Sequence, residues 1–454
     1  MSARPKTVYV CSACGNEAAK WQGQCPQCLD WNTLSALKLP AERGSRSARA
    51  ARTGAAPATL GAEAAAEAER LPTGTAEFDR VLGGGLVAGS ATLLGGDPGI
   101  GKSTLLLQSA ASLATRVPVL YATGEESVRQ VGLRARRLGV GAAPLALVAE
   151  TDVEAIIAAS TAATARVLVV DSIQTMASAE VEASPGSVSQ LKESAARFIA
   201  HAKTTGTAVV LIGHVTKDGQ IAGPRVLEHL VDTVLYFESD AGSRFRIVRA
   251  IKNRFGAANE IGVFAMDEHG LKEVKNPSAI FLSRHETPVA GSVVTVTREG
   301  TRPMLIEVQA LVDESRAQLP RRVAVGLDGN RLALLLAVLG RHGGIALGAH
   351  DVYVNVVGGV RVEEPGADLA LVLTAVSSER NRALPQDLVV FGEVGLAGEI
   401  RPVPFGEERL REAAKHGFHR AIVPKANVPR KSLDGLAVTG VSRLEEALAA
   451  LAGV

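Results

Sequence analysis

Apolar residues recur along this chain in short runs bounded by glycine, proline or charge. Ala91-Thr92-Leu93-Leu94, Val117 to Ala122, Val167 to Val170 and Thr207 to Gly213 are each too short for a helix and read as buried strands. Leu105 to Ala111 reads as a helix, and so does the stretch from Phe78 that is closed by Gly83-Gly84-Gly85. Asp232 to Glu238 and Phe245 to Ile251 are β-rich and predict an antiparallel pair closing the sheet. Beyond about Pro288 a second alternating series begins. Ser292 to Arg298, Asp351 to Gly359, Leu388 to Gly395 and Ala421 to Pro424 read as strands. Leu332 to Leu339, Asp368 to Ser377 and the amphipathic Glu407 to His416 read as helices. Strands alternating with helices predict an α/β fold.

Length divides the picture further. A chain of 454 residues exceeds one ordinary core, and the texture places boundaries at 1–37, 38–70, 71–284 and 285–454. In the second stretch Arg43, Arg46, Arg49 and Arg52 precede Glu63, Glu67 and Glu69 among alanines, with no recurring apolar face. That pattern predicts a solvated tether whose basic half could touch a nucleic-acid backbone. Net charge is only +2, so any nucleic-acid binding must come from a local patch. Aromatics make up 4%, which argues against extended base-stacking platforms. No apolar run reaches membrane-spanning length and no secretory core opens the chain, so a cytoplasmic protein with no membrane partner is expected.

All four cysteines lie between positions 11 and 28. Cys11-x-x-Cys14 and Cys25-x-x-Cys28, ten residues apart, supply four thiolates at the spacing of a closed structural Zn²⁺ site. In a reducing compartment metal is a better reading than disulfides. Four ligands leave no position open for a substrate. Trp21 and Trp31 flank the second pair and are expected to form the module's apolar cover.

The strongest chemical signal is Gly96-Asp97-Pro98-Gly99-Ile100-Gly101-Lys102-Ser103, followed by Thr104. It matches G-x-x-x-x-G-K-S between a predicted strand and a predicted helix, the context a P-loop requires. Glycines let successive N–H groups turn toward phosphate oxygens, and the helix N-terminus adds its partial positive charge. Lys102 is expected on the β- and γ-phosphates of ATP, and Ser103 on Mg²⁺. Arg166 to Ser172 ends an apolar strand in Asp171, which has the Walker-B form and is the second expected Mg²⁺ partner. Glu125 and Glu126 follow another strand, where an ATPase places the carboxylate that orients the attacking water; Glu126-Ser127 could also simply open the next helix. His214, in Gly213-His214-Val215-Thr216-Lys217, is a candidate γ-phosphate sensor, otherwise a loop residue. Lys252-Asn253-Arg254-Phe255-Gly256 closes a strand with two cations that, two apart, would share one face. They could reach DNA or a neighbouring subunit's ATP; the plain alternative is a solvated hairpin turn.

Taken together, the four-cysteine module with its two tryptophans, the P-loop, Gly124-Glu125-Glu126-Ser127, Gly213 to Lys217 and above all Lys252 to Gly256 resemble the bacterial recombination and repair family RadA, also called Sms. The resemblance covers nearly the whole chain outside the tether. It implies a zinc ribbon, a RecA-like ATPase core and a C-terminal domain similar to the Lon protease. It also implies a homo-hexameric ring that binds single-stranded DNA and moves branched recombination intermediates, with a RecA-type recombinase as partner and nucleoid association when engaged. Lon-type hydrolysis needs a Ser-Lys dyad. Here the serine motif reads Glu364-Pro365-Gly366-Ala367-Asp368, so Gly366 stands at the nucleophile position, and register through Pro402 and Pro424 puts the lysine position near Arg409. With neither a hydroxyl nor a titratable amine, proteolysis is not expected. A regulatory ATPase switch of the KaiC type, acting on proteins, is the alternative; it would carry tandem ATPase cores, and this chain has one P-loop.

Overall fold

A computed structural model describes residues 6–18, 20–39, 69–214, 225–239, 244–279, 281–282, 287–359 and 361–452. Most of the expected tether, and Val215 to Gly219 after the His214 strand, lie outside these residues. The chain divides into two compact units, Met1–Gly74 with Gly84–Leu235, and Thr75–Gly83 with Tyr236–Val454.

In the first unit five parallel strands lie in the order Ala91–Gly96, Ala208–His214, Val167–Asp171, Val119–Thr123 and Ala146–Ala149. The first four are buried almost along their length, as near-continuous apolar runs require in a sheet covered on both faces. The helix Lys102–Ala114 buries Leu105, Leu106, Leu107, Ala110 and Ala111, and Val188–Thr205 buries Leu191, Ala195, Phe198 and Ile199. Ser127 and Gln130 form a capping box that opens the helix Val128–Arg137. Near the N-terminus a separate three-stranded antiparallel sheet joins Glu17–Ala18, Lys6–Cys11 and Leu34–Leu39.

The second unit begins with a helix that precedes the P-loop in sequence. Ala76–Leu82 ends on Gly83 in the left-handed region at φ 80°, as a C-terminal glycine allows. Its Glu77 accepts from Val263 N at 3.0 Å and from Arg302 Nη1 at 3.0 and 2.9 Å. Phe245–Asn253, Ile261–Asp267 and Gly270–Glu273 form an antiparallel meander. A seven-stranded mixed sheet follows, in the order Arg322–Val325, His350–Val356, Arg302–Glu314, Ser292–Glu299, Leu388–Val390, Arg420–Pro424 and Ala437–Val441. Strand alternation sorts its side chains into two cores. Leu388, Val390 and Ile422 pack with the helices Gly329–His342 and Asp368–Glu379 on one face. Val389, Ala421 and Val423 pack with Leu410 and Ala413 of Gly406–Lys415 on the other.

Two strand expectations change here. The run Leu388 to Gly395 breaks after Val390, and Glu393–Val394 pairs separately with Ile400–Arg401. Its backbone leaves the sheet because Gly392 N donates to Gly366 O at 2.7 Å. Arg302–Glu314 is a strand that apolar periodicity does not single out, since Pro303, Glu307 and Gln309 interrupt it. Buried Glu307 is tolerated there by accepting from Ser292 Oγ and Gln309 Nε2 at 2.7 and 2.9 Å.

Candidate functional site

Parallel register decides which side chains meet. Gly96 pairs with His214, and Thr123 with Asp171, so four strands deliver their carboxyl ends to one edge. Ligands of open α/β sheets bind at that edge.

Past Gly96 the chain turns with Gly99 and Gly101 at φ 77° and 122°, conformations that side chains oppose. Gly101 then starts the helix with no side chain capping it, which leaves the first-turn N–H groups for an anion. Lys102 is buried, and its Nζ donates to Gly96 O at 2.7 Å and Asp97 O at 2.8 Å. Burial pushes its pKa down to about 8 against the opposing pull of Asp171, Asp97 and Glu125. The ammonium therefore sits inside the loop with acidic groups around it, poised for phosphate oxygens.

Asp171 is buried at its strand end, and Tyr121 Oη donates to its Oδ2 at 2.5 Å. Burial first, then the Asp171 carboxylate, holds the phenol well above its ordinary pKa and so keeps it a donor. Sequence reasoning passed over Tyr121. Its signal is a phenol inside a strand otherwise fit for full burial, because a buried hydroxyl must find a partner. A carboxylate and a hydroxyl are the hard oxygen donors that suit Mg²⁺, so Asp171 and Ser103 fit the ion.

The two glutamates part company. Glu125 Oε1 accepts from Ser172 Oγ at 2.5 Å and lies 3.2 Å from His214 Nε2. Burial alone would raise its pKa; Ser172, His214 and Lys102 outweigh it and hold the carboxyl below the ordinary glutamate range. Glu126 turns away to an ion pair with Arg134, while its backbone N donates to Thr123 Oγ1 at 3.1 Å. His214 Nδ1 is buried with no hydrogen-bond partner among the described residues.

Lys252 to Gly256 lie in the second unit. The strand ends at Asn253, so the alternation that would put Lys252 and Arg254 on one face does not reach Arg254, which lies in the bend beyond. Asn253 braces that bend: its Nδ2 donates to Val81 O at 3.2 Å and its Oδ1 accepts from Phe255 N at 2.9 Å. Gly256 is required where it stands, because a Cβ would come within 2.9 Å of Gly83 Cα.

At the Lon-like position, Gly366 is buried in the short turn Pro365–Ala367. Arg409, 1% exposed, makes a two-pronged pair with Glu364 at 2.7 Å on each arm and donates to Val296 O and Pro404 O. Arg409 is thus held in the interior by an ion pair.

The four cysteine sulfurs lie within 4.8 Å of one another, with Cys11–Cys28 and Cys14–Cys25 both at 3.6 Å. Zn–S bonds of about 2.3 Å in a tetrahedron put sulfurs roughly 3.8 Å apart, so the set fits Zn²⁺. Cys11 and Cys25 are buried with Ala18 and Leu34, and Tyr9 packs against them. The tryptophans do not cover this core. Trp21 and Trp31 are 57% and 69% exposed, because each lies in the loop around the second pair and a four-residue core has no groove for an indole.

Family models match as a rubredoxin metal binding domain over residues 9–36, an AAA domain over 57–220, and subunit ChlI of Mg-chelatase over 336–427. Over 450 residues the chain is 57% identical to the DNA repair protein RadA of Pseudomonas aeruginosa, covering 99% of each. The chain belongs to the RadA family of DNA repair proteins. RadA of Escherichia coli is 56% identical over 454 residues, again 99% of each chain, and RadA of Bacillus subtilis 48% over 452, 98% of each. As in its sequence reading, this RadA-family chain joins a zinc ribbon, a P-loop AAA domain and a ChlI-like domain. None of its described helices is long and apolar enough to cross a membrane.

Proposed function

We propose that this chain is an ATP-driven DNA motor that moves branched recombination intermediates along single-stranded DNA. The observation that carries the reading is Glu125, an ionised carboxylate held by Ser172 and His214 at the strand edge that also presents Lys102 and Asp171. Lys102 and the P-loop amides of Gly96 to Thr104 take the ATP phosphates, Ser103 and Asp171 hold Mg²⁺, and Glu125 orients the attacking water. Bound Mg²⁺ supplies charge neutralisation at the transferring phosphoryl group. His214 senses the γ-phosphate through Glu125, and Glu126 serves the fold through Arg134. Lys252 and Arg254 contact DNA or the ATP of a neighbouring subunit in a homo-hexamer. The working division is a zinc module at 1–37, a tether at 38–70, an ATPase at 71–284 and a Lon-like domain at 285–454, cytoplasmic, acting with a RecA-type recombinase. Gly366, and Arg409 paired with Glu364, stand where the Lon resemblance puts the dyad serine and lysine, which supports a last domain without protease activity.

The test is ATP turnover with single-stranded DNA or unfolded protein added, beside Lys102→Ala. DNA stimulation that disappears in the folded Lys102 variant supports the motor. Stimulation by unfolded protein alone favours a switch or protease and overturns it.

A further inference from the structure

The second unit carries an open cavity of about 950 Å³, and every described residue lining it belongs to that unit. Three of the chain's ten phenylalanines, Phe245, Phe281 and Phe405, face it, a concentration of flat apolar surface in a chain with 4% aromatics. Small-molecule sites span roughly 300–1,000 Å³ and combine such surface with a few polar groups.

Charge around the cavity is mostly spent. Arg249 donates to Glu299 at 2.5 Å and to Glu238 at 3.3 Å, and Arg409 and Glu364 engage each other at 2.7 Å. Glu364 Oε1 also accepts from Arg298 N at 3.0 Å. Arg361 and Glu363, both exposed, offset each other in sign. The Arg298 guanidinium is what remains. Its side chain is 15% exposed, and its Nε and Nη1 are buried without hydrogen-bond partners among the described residues. Glu408 Oε2 stands 4.0 Å from Nη1, beyond hydrogen-bond reach. The guanidinium lies 3.4 Å over the Phe405 ring, and Phe405 is held 54% exposed at a left-handed φ of 58°.

A desolvated cation with idle donors is unfavourable, and so is an exposed aromatic on left-handed backbone. One occupant would account for both. We propose that this cavity binds a small aromatic anion, a flat ring carrying a phosphate or a carboxylate, with the anion on Arg298 and the ring against Phe405 and Phe245. Guanidinium forks match either anion, and phenylalanine faces accept a stacked or edge-on ring.

Calorimetric titration of the full chain, with the P-loop saturated by ADP and Mg²⁺, uses phenyl phosphate and benzoate as probes and inorganic phosphate as the ring-free control. Saturable binding of one probe per chain is expected, and the tighter of the two names the anion. Arg298→Gln should weaken it about tenfold or more, the loss of a charged hydrogen bond, and Phe405→Ala should weaken it as well. The melting temperature of Arg298→Gln should equal or exceed that of the parent, because removing a buried charge whose carboxylate partner stands off at 4.0 Å relieves a desolvation cost, whereas a structural arginine would lower it. Failure of both probes to saturate, or unchanged binding by Arg298→Gln, overturns the site. Inorganic phosphate binding as tightly as phenyl phosphate overturns the ring half of the proposal. Phe405→Ala, a surface change, keeps the test available if the arginine variant does not fold.

Discussion

Tyr121 donates a 2.5 Å hydrogen bond to Asp171 Oδ2, so one buried phenol fixes the carboxylate proposed to hold Mg²⁺. Tyr121→Phe keeps the ring and removes only this tie. A hydrogen bond to a charged group is worth roughly 1.5–3 kcal/mol, or about 10–100-fold. The expected result is a rise of that size in the Mg²⁺ concentration that half-saturates turnover, partly restored by Mn²⁺. An unchanged Mg²⁺ requirement would show that the phenol only fills space.

Glu125 and Glu126 should separate cleanly. Glu125→Gln is expected to bind ATP normally and lose on the order of 10²–10⁴ in turnover, the usual contribution of a positioned general base. Glu126→Gln gives up an ion pair with Arg134 in a partly exposed setting and should cost at most about 1 kcal/mol of stability with turnover near normal. Reversed outcomes from single-turnover kinetics would exchange the two roles.

For the Lys252 to Gly256 turn, Lys252→Ala and Arg254→Ala should retain ATP binding while DNA-stimulated branch migration falls about tenfold, measured at fixed salt because phosphate contacts are salt-dependent. Arg254→Lys should not be neutral, since a point charge does not replace a fork. Asn253→Ala should act differently, lowering stability by about 1–3 kcal/mol through loss of its bonds to the Val81 carbonyl and the Phe255 amide. Wild-type migration by both cation variants would reduce the turn to scaffolding.

Elemental analysis should find one zinc per chain, lost when Cys11 and Cys14 are both replaced by serine. Among the described residues the cysteine core contains only ribbon residues, so the ATPase unit should still melt cooperatively. Unchanged zinc content in the doubly substituted protein would remove the assignment.

His201 is buried in the helix Val188–Thr205, 3.1 Å from Ser160 Oγ, and burial lowers its pKa below 6.5. The neutral ring is therefore the folded form. Well above pH 6.5 neither state binds the proton and the stabilising effect is complete; as pH falls through that value, the unfolded chain gains a proton that the folded chain takes up only at lower pH, and stability drops. Melting temperature followed from pH 7.5 to 5.5 should fall more steeply in the parent than in His201→Gln. Parallel slopes would refute the coupling.

The first unit was legible because its strands are apolar runs with chemistry at their ends. Gly96, Asp171, Glu125 and His214 each follow such a run, and parallel pairing brings them together without further information. What separated Glu125 from Glu126 was not legible, since the choice is made by Ser172, His214 and Arg134, which come from other elements. Trp21 and Trp31 misled because indoles usually seek burial, while so small a ribbon buries its own sulfurs. Arg409 could be read as a lost base; its burial against Glu364 could not, because the partner lies 45 residues away.

The helix Ala76–Leu82 carries a practical consequence for anyone cutting this protein apart. Because it is folded into the later unit, the polypeptide passes from one unit to the other at 74–75, 83–84 and 235–236. No single cut yields two whole pieces. A fragment beginning at Tyr236 would leave Arg302 and Val263 N without Glu77 and uncover Ile261–Asp267 where Val81 now packs on Gly262. Such a fragment should be insoluble unless the seven-residue helix is supplied, in trans or stitched on by a short linker.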